Sequence, residues 1–89
     1  MPQEDDWRLD RRDLIEGHTL TWERWHAPKP SWDHDHCVPC WAKIADWNDG
    51  EVQPEAYVDE AHSEWLCAAC AGEFREMLCL KLIGGPAAA

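Results

Sequence analysis

Two cysteine pairs, Cys37-Val38-Pro39-Cys40 and Cys67-Ala68-Ala69-Cys70, stand 26 residues apart and are the groups of this chain best suited to chemistry. Two residues between paired cysteines let both thiolates face one ion, and two such pairs fill the four tetrahedral positions that Zn²⁺ takes in closed structural sites. Cys37, Cys40, Cys67 and Cys70 are therefore expected to ligate one structural Zn²⁺, with no catalytic residue among them. Iron suits the same ligands less well in a chain with no other redox features. Disulfide exchange at each CxxC is the other available chemistry, but two motifs in so short a chain favour a shared metal.

Directly before the first pair runs Asp33-His34-Asp35-His36, so six candidate ligands crowd into eight positions. A histidine ligand would open the way to a metalloenzyme built on the His34-Asp35-His36 cluster. Four cysteines already fill the site, however, and His36, adjacent to Cys37, would have to turn sharply to reach the same ion. The histidines are expected to be neighbours of the site, with Asp33 or Asp35 orienting a ring. The zinc-deaminase pattern of H-x-E followed by P-C-x-x-C is not met, because His36 stands where Glu is required and neither pair directly follows a proline. His18, His26 and His62 carry no motif, and Cys79, the fifth cysteine, reads as a small buried hydrophobe.

Bringing the pairs together requires a knuckle, a hairpin and a helix. Asp6 is placed to cap a helical turn through "WRLDRRDLIEG", with Trp7, Leu14 and Ile15 as its apolar positions and Gly17 as its stop. "HTLTWERWHA" suits a strand with Leu20 and Trp22 on one face. Pro28 and Pro30 then interrupt regular structure. "WAKIADW" reads as a short strand or one helical turn, and "NDGEVQP" as a turn. "EAYVDE" and "SEWLC" form a hairpin around Ala61-His62, setting Tyr57 and Val58 against Trp65 and Leu66. A helix is expected over 68–83, with Cys70, Phe74, Met77, Leu78 and Leu82 at helical spacing. It begins at the second cysteine pair, where free backbone N–H groups favour thiolate charge. The organisation expected is an N-terminal extension at 1–36, a zinc-binding domain at 37–83 and a disordered tail at 84–89.

With 89 residues the chain makes one small domain, which buries a modest share of its surface and needs a staple. Its charged N-terminal segment does not read as a secretory signal, and no run approaches the roughly 20 apolar residues of a membrane span. A cytoplasmic location, where thiols stay reduced, is the expectation. The net charge is −10, and residues 31–66 carry nine acidic side chains against one basic. Such a surface repels phosphate backbones, so nucleic acid is not an expected partner, whereas a basic protein is; the same charge would also serve plain solubility. Seven tryptophans add a second signal, since exposed Trp is enriched among interface anchors.

The order of knuckle, hairpin and helix-borne second pair resembles the treble-clef class of zinc proteins, on Cys37, Cys40, Cys67 and Cys70 with Phe74 at the usual apolar helix position. The strings "WDHDHCVPCWAKIAD" and "EWLCAAC" are also similar to small bacterial zinc-binding proteins of unassigned function. The resemblance covers residues 37–82 and implies an α+β, zinc-stapled, treble-clef-like domain behind an N-terminal extension. In HNH-type nucleases of related framework the Asp-His element lies between the cysteine pairs, whereas here it precedes both. Treble clefs read nucleic acids, bind proteins or brace structures, so the fold alone does not choose. The functional expectation is a small structural-zinc protein acting as an acidic protein-interaction module or regulator. An immunity or antitoxin-type inhibitor of a basic enzyme, and a metalloenzyme, are the alternatives.

Overall fold

Asp6 does cap the N-terminal turn. Its carboxylate accepts from the Arg8 N–H at 2.9 Å and opens a 3₁₀ turn over Trp7–Leu9, followed by a second over Arg12–Leu14. The computed structural model describes residues 6–27, 29, 31–46 and 52–85. Leu9 and Ile15 are the residues these turns bury; Trp7 and Leu14, expected inside, face solvent because the 3₁₀ turns rotate them away from the core. Arg8 fastens the segment to the rest of the molecule, pairing with Asp6 and Glu73 at 2.8 Å each while its guanidinium lies 4.7 Å from the centre of the Phe74 ring.

Strand β1 (Thr19–Arg24) follows, then β2 (Asp35–His36), β3 (Lys43–Ile44), β4 (Glu55–Val58), β5 (Trp65–Leu66), helix α1 (Ala68–Phe74) and β6 (Lys81–Ile83). The main sheet has the order β5-β4-β1-β6, and β2 and β3 form a separate antiparallel pair. The hairpin sets Tyr57 opposite Leu66 and Val58 opposite Trp65. β1 lies antiparallel to β4, with Trp22 opposite Tyr57, and parallel to β6, with Leu20 opposite Leu82. The segment before the knuckle thus supplies a strand inside the sheet. Phe74, Ile15, Leu20, Ile44, Leu66 and Leu78 fill the core, each less than 2% exposed. Pro28, Pro30, most of "NDGEVQP" and residues 86–89 lie outside the described residues.

The C-terminal helix is shorter than its periodicity predicts. It ends at Phe74, continues through turns, and closes where Leu80 N–H reaches Arg75 O at 2.9 Å and Cys79 N–H reaches Glu76 O at 3.3 Å. Those two bonds make a Schellman closure with Cys79 in the left-handed position, φ +55°. Glycine is the residue that normally announces such a stop, and its absence here hides it. Leu78 and Leu80 are buried while Cys79 and Lys81 are exposed, an alternation of period two that turns the chain into β6. Gly17 N–H donates to Leu78 O at 2.8 Å and Lys81 N–H to His18 O at 3.1 Å, so pairing with β1 prevails over continued helix. Cys79 is accordingly exposed, not the buried hydrophobe expected.

A left-handed conformation costs an L-residue about 1–2 kcal/mol, more for a β-branched side chain. Cys79→Gly is expected to keep or raise the urea midpoint of unfolding, and Cys79→Val to lower the midpoint, with a stability loss of about 1 kcal/mol or more. Equal midpoints for the two variants would contradict this account of the helix stop.

Candidate metal centre

The knuckle is shaped by its own backbone. Cys37 N–H donates to Ala42 O and Trp41 N–H to Cys37 O, both at 2.8 Å, closing a tight loop around Val38, Pro39 and Cys40. Trp41 completes the reversal with φ +66°, a position where a bulky side chain is unusual. Its ring makes two contacts: His36 stacks 4.3 Å away with planes 1° apart, and the Arg11 guanidinium lies 4.8 Å from the ring centre. Those contacts offset the strained backbone.

Two connections carry the knuckle to the second cysteine pair. Cys37 bridges Trp65 in β5, and Val38 N–H donates to Trp65 O at 2.8 Å. Cys67 follows β5 directly as the residue before α1, and Cys70 sits in that helix's first turn. Cys37 Sγ and Cys40 Sγ each lie 3.7 Å from Cys67 Sγ, and all four sulfurs fall within 4.8 Å of one another. A tetrahedral ion with Zn–S bonds of about 2.3 Å would separate its sulfurs by about 3.8 Å. A disulfide would need about 2.05 Å, and all four thiols are free. Cys37, Cys67 and Cys70 are buried and Cys40 is half-buried, so the cluster is sheltered from solvent.

Four crowded sulfurs do not ionise independently. Hydrogen bonds from Cys37 and then Cys70 pull the Cys67 thiol far below the ordinary thiol range. Cys37 is pushed up to about 12, first by its hydrogen bond to Cys67, and Cys70 is driven up by its bonds to Cys37 and Cys67. One thiolate is stabilised by its neighbours, and further ionisation is opposed. A coordinated divalent cation reverses that repulsion and deprotonates its thiol ligands. The donor set, spacing and burial are thus compatible with a single structural metal ion.

The histidines ahead of the knuckle do not join the sulfurs. His34 Nδ1 meets Asp33 Oδ1, His34 and His36 contact edge to face at 4.8 Å, and His36 stacks on Trp41. Asp35 Oδ2 accepts from Trp25 Nε1 at 2.9 Å and Trp32 Nε1 at 3.1 Å. Asp35 therefore orients indoles. Burial, followed by the charges of His34 and Lys43, holds His36 below the ordinary histidine range.

Sequence reasoning missed a second group. Among the described residues, His18, Asp59 and Glu60 also offer atoms within 4.8 Å of one another. His18 Nδ1 lies 3.0 Å from Glu60 Oε1 and 3.9 Å from Asp59 Oδ2, although 41 positions separate His18 from Asp59. Only the pairing of β1 with β4 reveals this proximity. Asp59, the one buried charged residue among those described, accepts from Ser63 N–H at 2.9 Å, Glu64 N–H at 3.2 Å and Ser63 Oγ at 3.2 Å, and so shapes the hairpin turn. His62, left-handed in that turn at φ +57°, pairs with Glu23 at 3.1 Å. Neither His18 nor His62 is isolated once the chain folds.

Hydrogen bonds from its own backbone N–H, from His18 and from Thr19 N–H hold the Glu60 carboxyl below the usual carboxylate range. A depressed carboxylate contributes stability above its unfolded value and loses that contribution as pH falls through its folded value. Native chain is expected to melt higher than Glu60→Gln at pH 7, where the carboxylate is charged. Equal melting of the two at pH 7 would contradict a stabilising charge at Glu60. Among the described residues no helix is long and apolar enough to cross a membrane. No protein-family model, curated protein or solved structure matches this chain.

Proposed function

We propose that this protein is a small zinc-stapled interaction module whose acidic surface engages a basic protein partner. The observation that carries the reading is the closed four-cysteine cluster: Cys37, Cys40, Cys67 and Cys70 supply a full tetrahedral set, leaving no open position at which a substrate or water would be activated. Zn²⁺, bound by these four side chains, would supply folding energy and not reaction chemistry. Trp32 at 41% and Trp41 at 56% exposure stand beside the cluster, on a chain of net charge −10. Large exposed indoles on an acidic surface are the composition of an interaction face.

Three of the five arginines, the residues a nucleic acid would need, are engaged within the molecule. Arg8 pairs with Asp6 and Glu73, Arg11 donates to Val38 O, and Arg24 pairs with Asp46. This supports a protein partner over a phosphate backbone. A cytoplasmic setting with reduced thiols is part of the same proposal. An inhibitor of a basic enzyme, of the immunity or antitoxin type, is one form that the module would take.

Purified protein is expected to carry one equivalent of zinc, and a strong chelator should abolish its cooperative unfolding transition, because binding energy of a structural zinc is folding energy. Cys37→Ser and Cys70→Ser should resemble the chelated protein. A chain that stays folded without metal would refute the staple. Affinity capture is expected to recover a basic protein whose retention falls as salt rises, and salt-insensitive retention would argue against a charge-steered contact.

A further inference from the structure

Beside the knuckle runs a groove of about 290 Å³, lined among others by Leu14, Trp32, Trp41, Asp35, Glu64 and Arg11. Leu14, Trp32 and Trp41 are its exposed large apolar residues, at 42%, 41% and 56%, with Trp65 buried beneath them. Trp41 packs against both His36 and Arg11, so that wall of the groove is ordered before anything binds.

The groove's lining carries two carboxylates, Asp35 and Glu64, against one arginine, with His34 and His36 beside them. Glu64 is half-buried at the end of the β4–β5 turn, and among the described residues its carboxylate meets no donor. Burial, then the nearby charges of Asp59 and Asp35, push its carboxyl above the usual range against an opposing contribution from His18. Arg11 is the one Arg or Lys in the lining, and it is committed elsewhere: its Nε and Nη2 donate to Val38 O at 3.1 and 2.6 Å, and its plane covers Trp41. Asp35 adds a second carboxylate beside the Trp32 indole. Lys29 Nζ, 5.8 Å from the Trp32 ring centre, already shows a cation drawn to that ring.

A side chain that completes such a groove must stack on an indole and present a fork of donors to a carboxylate. Guanidinium does both, whereas an ammonium offers a point charge without a stacking plane. We infer that the groove receives an arginine side chain from a basic segment of the partner protein, with Glu64 taking the guanidinium and Trp32 stacking on its face. This rests on the interaction reading above and names the chemistry of the partner.

The test is calorimetric titration of the full chain, as purified, with a blocked peptide of alternating arginine and glycine, beside its lysine counterpart and an acidic control. Glu64→Gln and Trp32→Ala are compared with Glu76→Gln, which removes one exposed carboxylate outside the groove. The arginine peptide is expected to bind more tightly than the lysine one. Its affinity should fall about tenfold with Glu64→Gln and with Trp32→Ala, as for loss of a hydrogen bond to a charged group, and less than about twofold with Glu76→Gln, as for one screened surface charge. Equal losses at Glu64 and Glu76, or equal affinity for lysine, overturn the groove assignment while leaving a basic partner standing. No binding by either basic peptide overturns both. Should Glu64→Gln alter the fold by near-ultraviolet circular dichroism, the surface variant Trp32→Ala decides the matter alone.

Discussion

Four sulfur atoms from two segments about 30 positions apart meet within 4.8 Å of one another, and they do so where the two sheets of this molecule touch. Thiols at that separation repel each other as soon as a second one ionises, so the junction is held apart or together according to what lies between them. The β2–β3 pair reaches the main sheet through Cys37 and Val38 against Trp65, and the next residues after β5 are Leu66's neighbour Cys67 and helix α1. A change in the sulfur cluster is therefore felt by knuckle, hairpin and helix together. For a domain of 89 residues, with little core in reserve, a bound ion at this point is worth more than any single apolar contact.

Around that junction the chain adds polar fastenings at the places where backbone geometry is awkward. Trp41 and His62 both take left-handed backbone conformations without being glycine. Each is compensated: Trp41 by the His36 stack and the Arg11 guanidinium, His62 by its pair with Glu23 and by the Asp59 carboxylate that organises the same turn. The hairpin tip is thus tied to β1 twice, through His18 with Glu60 and His62 with Glu23. The knuckle and the hairpin tip, which flank the proposed partner groove, are held for different reasons, one by aromatic stacking and the other by histidine–glutamate contacts.

Local chemistry made much of this architecture legible. Alternation and turn residues located β1 and the β4–β5 hairpin with Tyr57 and Val58 against Trp65 and Leu66, while the register, Tyr57 opposite Leu66 and Val58 opposite Trp65, comes from the fold. Cysteine spacing identified Cys37, Cys40, Cys67 and Cys70, which the fold brings together. The helix was overextended because Cys70, Phe74, Met77 and Leu78 obey a helical period while Leu78, Leu80 and Leu82 obey a strand period, and no glycine marks the switch at Cys79. Tertiary pairing with β1 settles such a conflict, and a local pattern does not contain it. The convergence of His18 with Asp59 and Glu60 was hidden for the same reason, since it depends on strand order. The Asp-His run before the knuckle was over-suggestive in composition, and its side chains serve rings and indoles.

On the proposed reading, the fold is a means of presenting an acidic, tryptophan-rich face, and the metal is what makes so small a presenter rigid. The account stands or falls on the ligands of that metal. X-ray absorption at the zinc edge of the protein as purified should give four sulfur neighbours at about 2.3 Å and no lighter ligand. A shell containing nitrogen or oxygen would mean that a histidine, carboxylate or water has entered the site, contradicting the closed, structural centre proposed for this protein.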